Sequence, residues 1–227
     1  MIFLKRLTLL FCLLFFVGTT AFSQNSFGFK LGTNFSKWSG DLDEALGSLD
    51  DEVKYASGLH AGMAFNIALN KTTFFQPEIN YIQKGIKTIY DFGQSTEEQV
   101  VRFNYIEIPI LVKISFPVSE KITVYGNAGP GIGYAINATV VYDDEEYKDG
   151  AIIFFDNDDL EFERTDLSLH IGGGIDLKAG VGRLAIDLRY IYGLSNLNSG
   201  DDDFRINNQG IGINLIYSVP FKLSESE

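Results

Sequence analysis

The segment YIEIPILVKI, residues 105–114, decides the fold class of this chain. Apolar side chains recur at every second position, and Glu107 and Lys113 lie at positions between them. A period of two residues is that of a β-strand, whose side chains alternate between two faces. The segment therefore predicts a strand with one apolar face and one face that holds both signs of charge.

The same alternation recurs along the rest of the chain. It appears in residues 27–35, 58–69, 75–81, 124–136, 167–178, 184–192 and 211–221. We interpret these segments as about eight strands of about 9–14 residues, close to the length that a tilted strand needs to cross the hydrocarbon layer. Soluble strands are usually shorter, at about 5–6 residues.

The connections between the strands alternate between short and long. Those near residues 70–71, 116–120 and 179–182 are short, whereas residues 37–55, 85–99, 139–165 and 195–208 are long, polar and acidic. Membrane barrels have short turns on the periplasmic side and longer loops outside. The pattern predicts an all-β fold, an eight-stranded antiparallel up-and-down transmembrane β-barrel. A two-sheet sandwich with one polar side is the alternative.

The polar face of the strands predicts the interior of the barrel. A soluble barrel would have the reverse arrangement, because an apolar side facing water on every strand would be a far larger patch than soluble monomers tolerate. The lumen of an eight-stranded barrel is just wide enough for side chains to fill it. We therefore expect a plug in which Glu78 or Glu107 pairs with Lys30, Lys113 or Arg189, rather than a conduction path. The predicted interior polar network is Lys30, His60, Glu78, Glu107, Lys113, His170, Asp176, Lys178, Asp187 and Arg189.

The N-terminus has the pattern of a secretory signal peptide. Lys5 and Arg6 precede an apolar run over residues 7–17, and small and polar residues follow up to Ser23. The run is shorter than the roughly 20 residues of a membrane helix. We expect cleavage of residues 1–23, with an uncleaved anchor as the alternative, and one barrel domain over residues 24–227. Cys12 lies inside the apolar run, so the mature chain would have no cysteine.

The charge balance excludes one class of partner. The formal net charge is −12, and loss of Lys5 and Arg6 would remove two positive charges and make it −14. A nucleic-acid partner needs Lys and Arg side chains to neutralise its phosphates, so we expect none. Aromatic side chains near predicted strand ends suit the interface of a membrane with water, and we assign Trp38, Tyr81, Tyr134 and Tyr192 to that belt.

Four segments resemble a known family. The stretches that resemble the PorT-like outer-membrane β-barrel proteins, often labelled "porin family", are residues 28–36, 75–81 with 84–85, 105–113, and 189–190 with 193–196. The segment IEIPILVK, residues 106–113, is the most specific of them. The resemblance spans essentially the whole mature chain. It implies the outer membrane of a Gram-negative cell, and it implies neither a reaction nor a substrate. Some members of that family are linked to protein secretion.

Other chemistries have candidate residues. Ser168 and His170 share a face, and with a carboxylate they would supply the parts of an acyl hydrolase acting on envelope lipid. His60 and His170 lack a metal-ligand spacing, so we expect neither a metal nor another cofactor. Acidic runs within 143–146, 156–159 and 201–203 lack the EF-hand spacing, and we interpret them as solvated loops. The alternative is that Ca²⁺ bridges these loops to anionic lipopolysaccharide.

The leading function is a non-enzymatic structural or binding role in the outer membrane, through the long acidic loops. The bilayer is one expected partner. Loops 37–55 and 139–165 are the expected docking sites for an extracellular or envelope protein. The apolar residues 152–155 are either a contact for such a partner or part of a hairpin that extends the barrel wall above the membrane. A narrow pore and a lipid-modifying enzyme are the alternatives.

Overall fold

The computed structural model describes residues 25–41, 52–91, 96–142, 145–147, 162–198 and 205–221. Ten strands lie in these ranges. They are β1 (Ser26–Gly40), β2 (Glu52–Lys54), β3 (Ala56–Ala68), β4 (Thr73–Asp91), β5 (Thr96–Pro117), β6 (Ile122–Tyr142), β7 (Glu145–Tyr147), β8 (Thr165–Ala179), β9 (Gly182–Gly193) and β10 (Ile206–Pro220). The predicted signal peptide, residues 152–159 and residues 201–203 lie outside the described residues.

Eight of these strands close into a ring. Strand β1 pairs with β3 on one side and with β10 on the other. The ring continues through β4, β5, β6, β8 and β9, and every pairing is antiparallel. Each barrel strand thus neighbours the next barrel strand along the chain, and the last neighbours the first. The predicted up-and-down barrel is confirmed, and the sandwich alternative is wrong.

Strands β4, β5 and β6 extend beyond the apolar band, where the sequence predicted loops. Residues 85–91 and 96–99 continue a β4–β5 hairpin, and β6 runs on to Tyr142. Strand β2 pairs with β4 above the end of β3, and β7 pairs with β6. The assignment of residues 37–40, 52–54, 85–91, 96–99, 139–142, 145–147 and 206–208 to loops was therefore wrong. The alternation of these segments is less regular than in the membrane band, which obscured their strand character.

The two faces of the barrel differ as the sequence predicted. Large apolar side chains cover the outside, among them Phe29 and Leu31 at 62% exposure and Ile171 at 59%. Charged and amide side chains fill the inside and are almost all buried. No helix in the described ranges is long and apolar enough to cross a membrane.

A register shift in the β5–β6 pairing changes which residues of β6 point inward. Asn104 pairs with Asn137, whereas Tyr105 pairs with Ala135. The extra residue in β6 is a β-bulge, which reverses the alternation beyond it. Ala135, Ala138 and Val140 therefore all lie buried inside the barrel. This bulge lets β6 supply apolar side chains to the outer end of the lumen.

Candidate functional site

The interior side chains form three polar tiers and one apolar cluster, stacked from the turn end of the barrel to its loop end. The central tier contains Lys30, Glu78, Asp187 and Arg189, none of which is more than 3% exposed. The side chains of Lys30 and Arg189 both donate to Glu78 Oε2, the Arg189 Nη1 bond measuring 2.8 Å. Arg189 Nη2 donates to Asp187 Oδ2 at 3.2 Å. Two buried cations thus face two buried carboxylates.

Glu78 is the acceptor at the centre of that tier. Beyond the two cations, it accepts from Gln76 Nε2 at 2.5 Å and Asn80 Nδ2 at 3.0 Å. Positions 76, 78 and 80 alternate inward on β4, so one strand supplies the carboxylate and the amides beside it. A buried carboxylate is tolerated only when it is paired and hydrogen-bonded in this way.

The upper tier lies toward the loop end and centres on Lys84. Its ammonium group donates to Glu107 Oε1 at 2.5 Å and to Asp166 Oδ2 at 3.0 Å. Asn208 Nδ2 also donates to Asp166 Oδ2, at 3.0 Å. The Lys84 ammonium lies 5.1 Å from the centroid of the Tyr105 ring. This tier joins β4, β5, β8 and β10 across the lumen.

The lower tier is near the turn end and is more open. Asp176 accepts from Arg183 Nε at 2.5 Å, and Lys113 Nζ lies 3.9 Å from its other oxygen. The Lys113 ammonium also lies 3.8 Å from the centroid of the Tyr125 ring. Asp176 is partly exposed and Lys178 is exposed. Lys178 is therefore not buried in the interior network as predicted, because the lumen opens to solvent at the end of β8.

An apolar cluster lies at the loop end of the lumen, and we call it the apolar cap. The rings of Trp38, Phe103 and Phe162 pack together, with centroids 5.4–6.0 Å apart. Buried aliphatic and small side chains surround them: Ile82, Ile86, Val101, Ala135, Ala138, Val140, Ile191, Leu197 and Ile206.

Trp38 belongs to the apolar cap, so its predicted position in the aromatic belt at the membrane interface was wrong. Trp38 is 4% exposed and points inward, because it has the same parity on β1 as Lys30. Tyr134 and Tyr192 are 52% and 46% exposed, and Tyr81 is half-buried on the outer face. The outward positions of these tyrosines agree with the predicted belt.

Ser168 and His170 lie together inside the upper tier. Ser168 Oγ is 3.0 Å from His170 Nε2 and 3.3 Å from Glu107 Oε1. Glu107 Oε1 lies 3.6 Å from the same His170 nitrogen. A hydrolytic triad needs the carboxylate on the opposite imidazole nitrogen, where it orients the ring. His170 Nδ1 has no hydrogen-bond partner among the described residues, and all three side chains are at most 1% exposed.

His60 lies buried in the lumen without a hydrogen bond to either ring nitrogen within the described ranges. No group of three or more His, Cys, Asp or Glu side chains in those ranges is placed to hold a metal ion. The two histidines occur in different surroundings, since His170 contacts Ser168 and His60 does not. The geometry therefore gives them no shared ligand.

Two central residues were missing from the sequence prediction. Lys84 and Asp166 are both buried in the upper tier. The predicted strands ended at Tyr81 and began at Leu167, so both residues fell just outside them. Extending the same parity along β4 and β8 would have placed both side chains in the lumen.

The family comparison fits this architecture. A family model described as "Outer membrane protein beta-barrel domain" matches residues 22–199, which is most of the chain. The chain belongs to the outer membrane β-barrel family. The apolar outside of the ring is accordingly the surface that faces lipid, and the cell outer membrane is the location of the protein.

Solved structures of other members of this fold are distant in sequence. Neisserial surface protein A matches with 13% identity and a TM-score of 0.47, over 86% of this chain and 97% of that chain. OprG from Pseudomonas aeruginosa matches with 10% identity and a TM-score of 0.44, over 91% and 100%. Ail of Yersinia pestis matches with 17% identity and a TM-score of 0.38, over 85% and 98%. No functional assignment follows from likenesses at this level. No curated protein matches the chain in sequence.

Proposed function

We propose that this protein is a closed outer-membrane barrel that presents an extracellular docking surface and neither conducts solutes nor catalyses a reaction. The observation that supports this most strongly is the filled lumen. Three ion-pair tiers lie below an apolar cap, and the central and upper tiers join opposite walls of the barrel. A water-filled channel would need lumen-lining charges that face solvent, whereas those of the central and upper tiers are buried and paired.

The charge distribution supports a role for the loops. The ion pairs of the lumen involve five cations and five carboxylates, namely Lys30, Lys84, Lys113, Arg183 and Arg189 with Glu78, Glu107, Asp166, Asp176 and Asp187. The excess negative charge therefore lies elsewhere. Residues 139–165 alone contain ten carboxylates and two cations. Such a segment attracts a partner with a basic surface.

A pore is the first alternative. Liposome swelling with a small sugar distinguishes it from the closed barrel. We expect vesicles that contain the protein to swell no faster than empty vesicles. Faster swelling would contradict the closed lumen.

The docking role is tested by photo-crosslinking in cells. Tyr142 is 45% exposed at the outer end of β6, beside the acidic loop, and Phe29 is exposed on the lipid face. We expect a photoreactive residue at position 142 to capture a protein and the same residue at position 29 to capture lipid alone. Equal protein capture at both positions, or capture of no protein at position 142, would contradict a docking surface at this end.

An envelope-lipid enzyme is the second alternative, and the position of Ser168 argues against it. A lipid would have to reach a side chain that is 1% exposed beneath the apolar cap. The Ser168→Ala variant is therefore expected to leave the lipid profile of the envelope unchanged.

Within the family, we propose that the chain belongs to the PorT-like group. Each of the four resembling segments supplies a member of the lumen network: Lys30, Glu78, Glu107 with Lys113, and Arg189. The residues that carry the resemblance therefore include members of the lumen network of this chain. A test is to delete the gene and measure secreted proteins in the medium. An unchanged secretome would argue against a role in secretion and leave the closed-barrel proposal standing.

A further inference from the structure

The outer surface of the barrel changes from apolar to cationic at one height on the sector formed by β1, β3, β4 and β5. On β1 the outward residue after Phe35 is Lys37. On β5 the outward residues after Ile106 are Asn104 and Arg102. Lys87 follows Gln83 and Gly85 on the outward face of β4. Register places these positions near one another, because Phe35 pairs with Ser57, and Gly85 with Arg102.

Arg102 is held across the neighbouring strand. Its Nε donates to the carbonyl oxygen of Ser57 on β3 at 3.1 Å. To reach it, the side chain passes over β4 at Gly85, where a Cβ atom would lie 1.9 Å from the carbonyl oxygen of Val101. Glycine is therefore needed at position 85, where β4 comes close to the backbone of β5. The two terminal nitrogens of a guanidinium oriented by its Nε remain suited to a bidentate anion.

Lys37 and Lys87 flank that arginine one level further out. The Lys37 ammonium lies 5.1 Å from the centroid of the Tyr55 ring, and Lys87 pairs with Glu98 at 2.6 Å. Strands lie about 4.8 Å apart, so the four strands bring the three cations within about 15 Å of one another. At these two levels, the described outward-facing residues of the four strands include no carboxylate, and Glu98, one level further out on β5, offsets the charge of Lys87 alone. Three cations thus cluster on a chain with a net charge of −12.

We propose that Lys37, Lys87 and Arg102 form a binding site for the phosphorylated headgroup of a lipid in the outer leaflet. The cations lie immediately above the apolar band, which is the height of lipid phosphates in a bilayer. Cationic side chains at that height attract anionic headgroups. The lipid source is favoured over free phosphate because exposed apolar residues lie below the cations and would contact the acyl chains. Phe35 is the next outward residue below Lys37, and Ile106 lies below Arg102 and Asn104. This inference is independent of whether the loops bind a protein.

The test uses the full chain in a mild detergent, with native mass spectrometry to count bound lipid. The probe is diphosphorylated lipid A, compared with the same lipid after removal of its phosphates. The variant is the triple substitution Lys37→Gln, Lys87→Gln and Arg102→Gln. The matched control is Lys71→Gln, Lys121→Gln and Lys178→Gln, which removes the same charge from exposed sites at the turn end.

We expect the phosphorylated lipid to bind the natural sequence, and the loop-side triple variant to weaken that binding about tenfold or more. The turn-side control should bind like the natural sequence, and the dephosphorylated lipid should bind poorly to all three. Equal weakening in the two triple variants, or none in the loop-side variant, would overturn the proposal. Displacement of the lipid by millimolar inorganic phosphate would overturn it too, since the site would then recognise phosphate alone.

Discussion

Arg189 on β9 and Glu78 on β4 form an ion pair across the full width of the barrel, with Nη1 and Oε2 2.8 Å apart and both side chains fully buried. In the ring of eight strands, β4 and β9 lie diametrically opposite each other. The pair therefore places two charged side chains in the middle of the lumen. Together with Lys84 in the tier above and the apolar cap, it is the basis for our proposal that the lumen is closed.

The central tier should depend strongly on Glu78. The Glu78→Gln variant removes the carboxylate that Lys30 and Arg189 share, and both cations stay buried. Removing one partner of a buried ion pair typically lowers the free energy of unfolding by about 3–5 kcal/mol. The measurement is the free energy of unfolding by urea in lipid vesicles. The control is Glu98→Gln, which removes the partly exposed pair with Lys87 and should cost about 1 kcal/mol or less. Similar losses in both variants would show that the tier does not stabilise the barrel.

The apolar cap should add stability by packing. Phe103 is 1% exposed and contacts the rings of Trp38 and Phe162. The Phe103→Ala variant is expected to lose about 3–5 kcal/mol, because truncation leaves a cavity in a packed cluster. Phe29→Ala on the lipid face should lose less, since lipid can fill the space. The measurement is thermal unfolding of the two variants. After heating, folded and unfolded barrels are separated on a gel by the different mobility of their compact and extended forms. A larger loss at Phe29 would contradict the packing of the cap.

Gly131 is needed for the close approach of β6 to the Ser168–His170 pair. A Cβ atom at position 131 would lie 2.7 Å from His170 Nε2 and 2.9 Å from Ser168 Oγ. The Gly131→Ala variant should therefore displace both side chains and destabilise the barrel by about 1–3 kcal/mol. At Gly126 on the same strand, the nearest atom to an added Cβ is 3.7 Å away. Gly126→Ala is the control, and an equal effect there would count against the steric argument.

The upper tier should tolerate loss of the Ser168 hydroxyl better than loss of the Lys84 ammonium. Ser168→Ala removes hydrogen bonds of 3.0 Å and 3.3 Å, at a typical cost of about 1 kcal/mol. Lys84→Met leaves Glu107 and Asp166 buried without their shared cation, and it should cost about 3–5 kcal/mol. The measurement is the free energy of unfolding of both variants in urea, and the Lys84→Met variant should show the larger loss. A reversed order would mean that Lys84 does not hold the two carboxylates.

The period-two pattern predicted the barrel, its eight strands and most of the interior, because inward and outward positions alternate without a break in the membrane band. The prediction was wrong at the strand ends, at one aromatic residue and at a β-bulge. Lys84 and Asp166 lie beyond the assigned strand ends. Trp38 was assigned to the lipid interface by residue type, although its parity with Lys30 points it inward. The bulge before Asn137 reverses the alternation of β6, and nothing in the local sequence marks it.

The pairing partners were also only partly predictable. Glu78 does pair with Lys30 and Arg189, but Glu107 pairs with Lys84 instead of a predicted cation. Parity states which side chains face the lumen, whereas partner choice depends on strand tilt and on heights around the ring. Those quantities are set by the closure of the barrel and are not encoded in any one strand.

Single-channel conductance in a planar bilayer tests the closed lumen most directly. We expect the natural sequence to insert into the bilayer without producing conductance steps. The comparison is a variant with both Phe103→Ala and Arg189→Ala, which removes a side chain of the apolar cap and the Arg189–Glu78 ion pair. Silence in the natural sequence, with open steps only in the double variant, is the predicted result. Stable, reproducible open steps in the natural sequence would contradict the account, because the buried ion pairs would then have to line a path for water and ions.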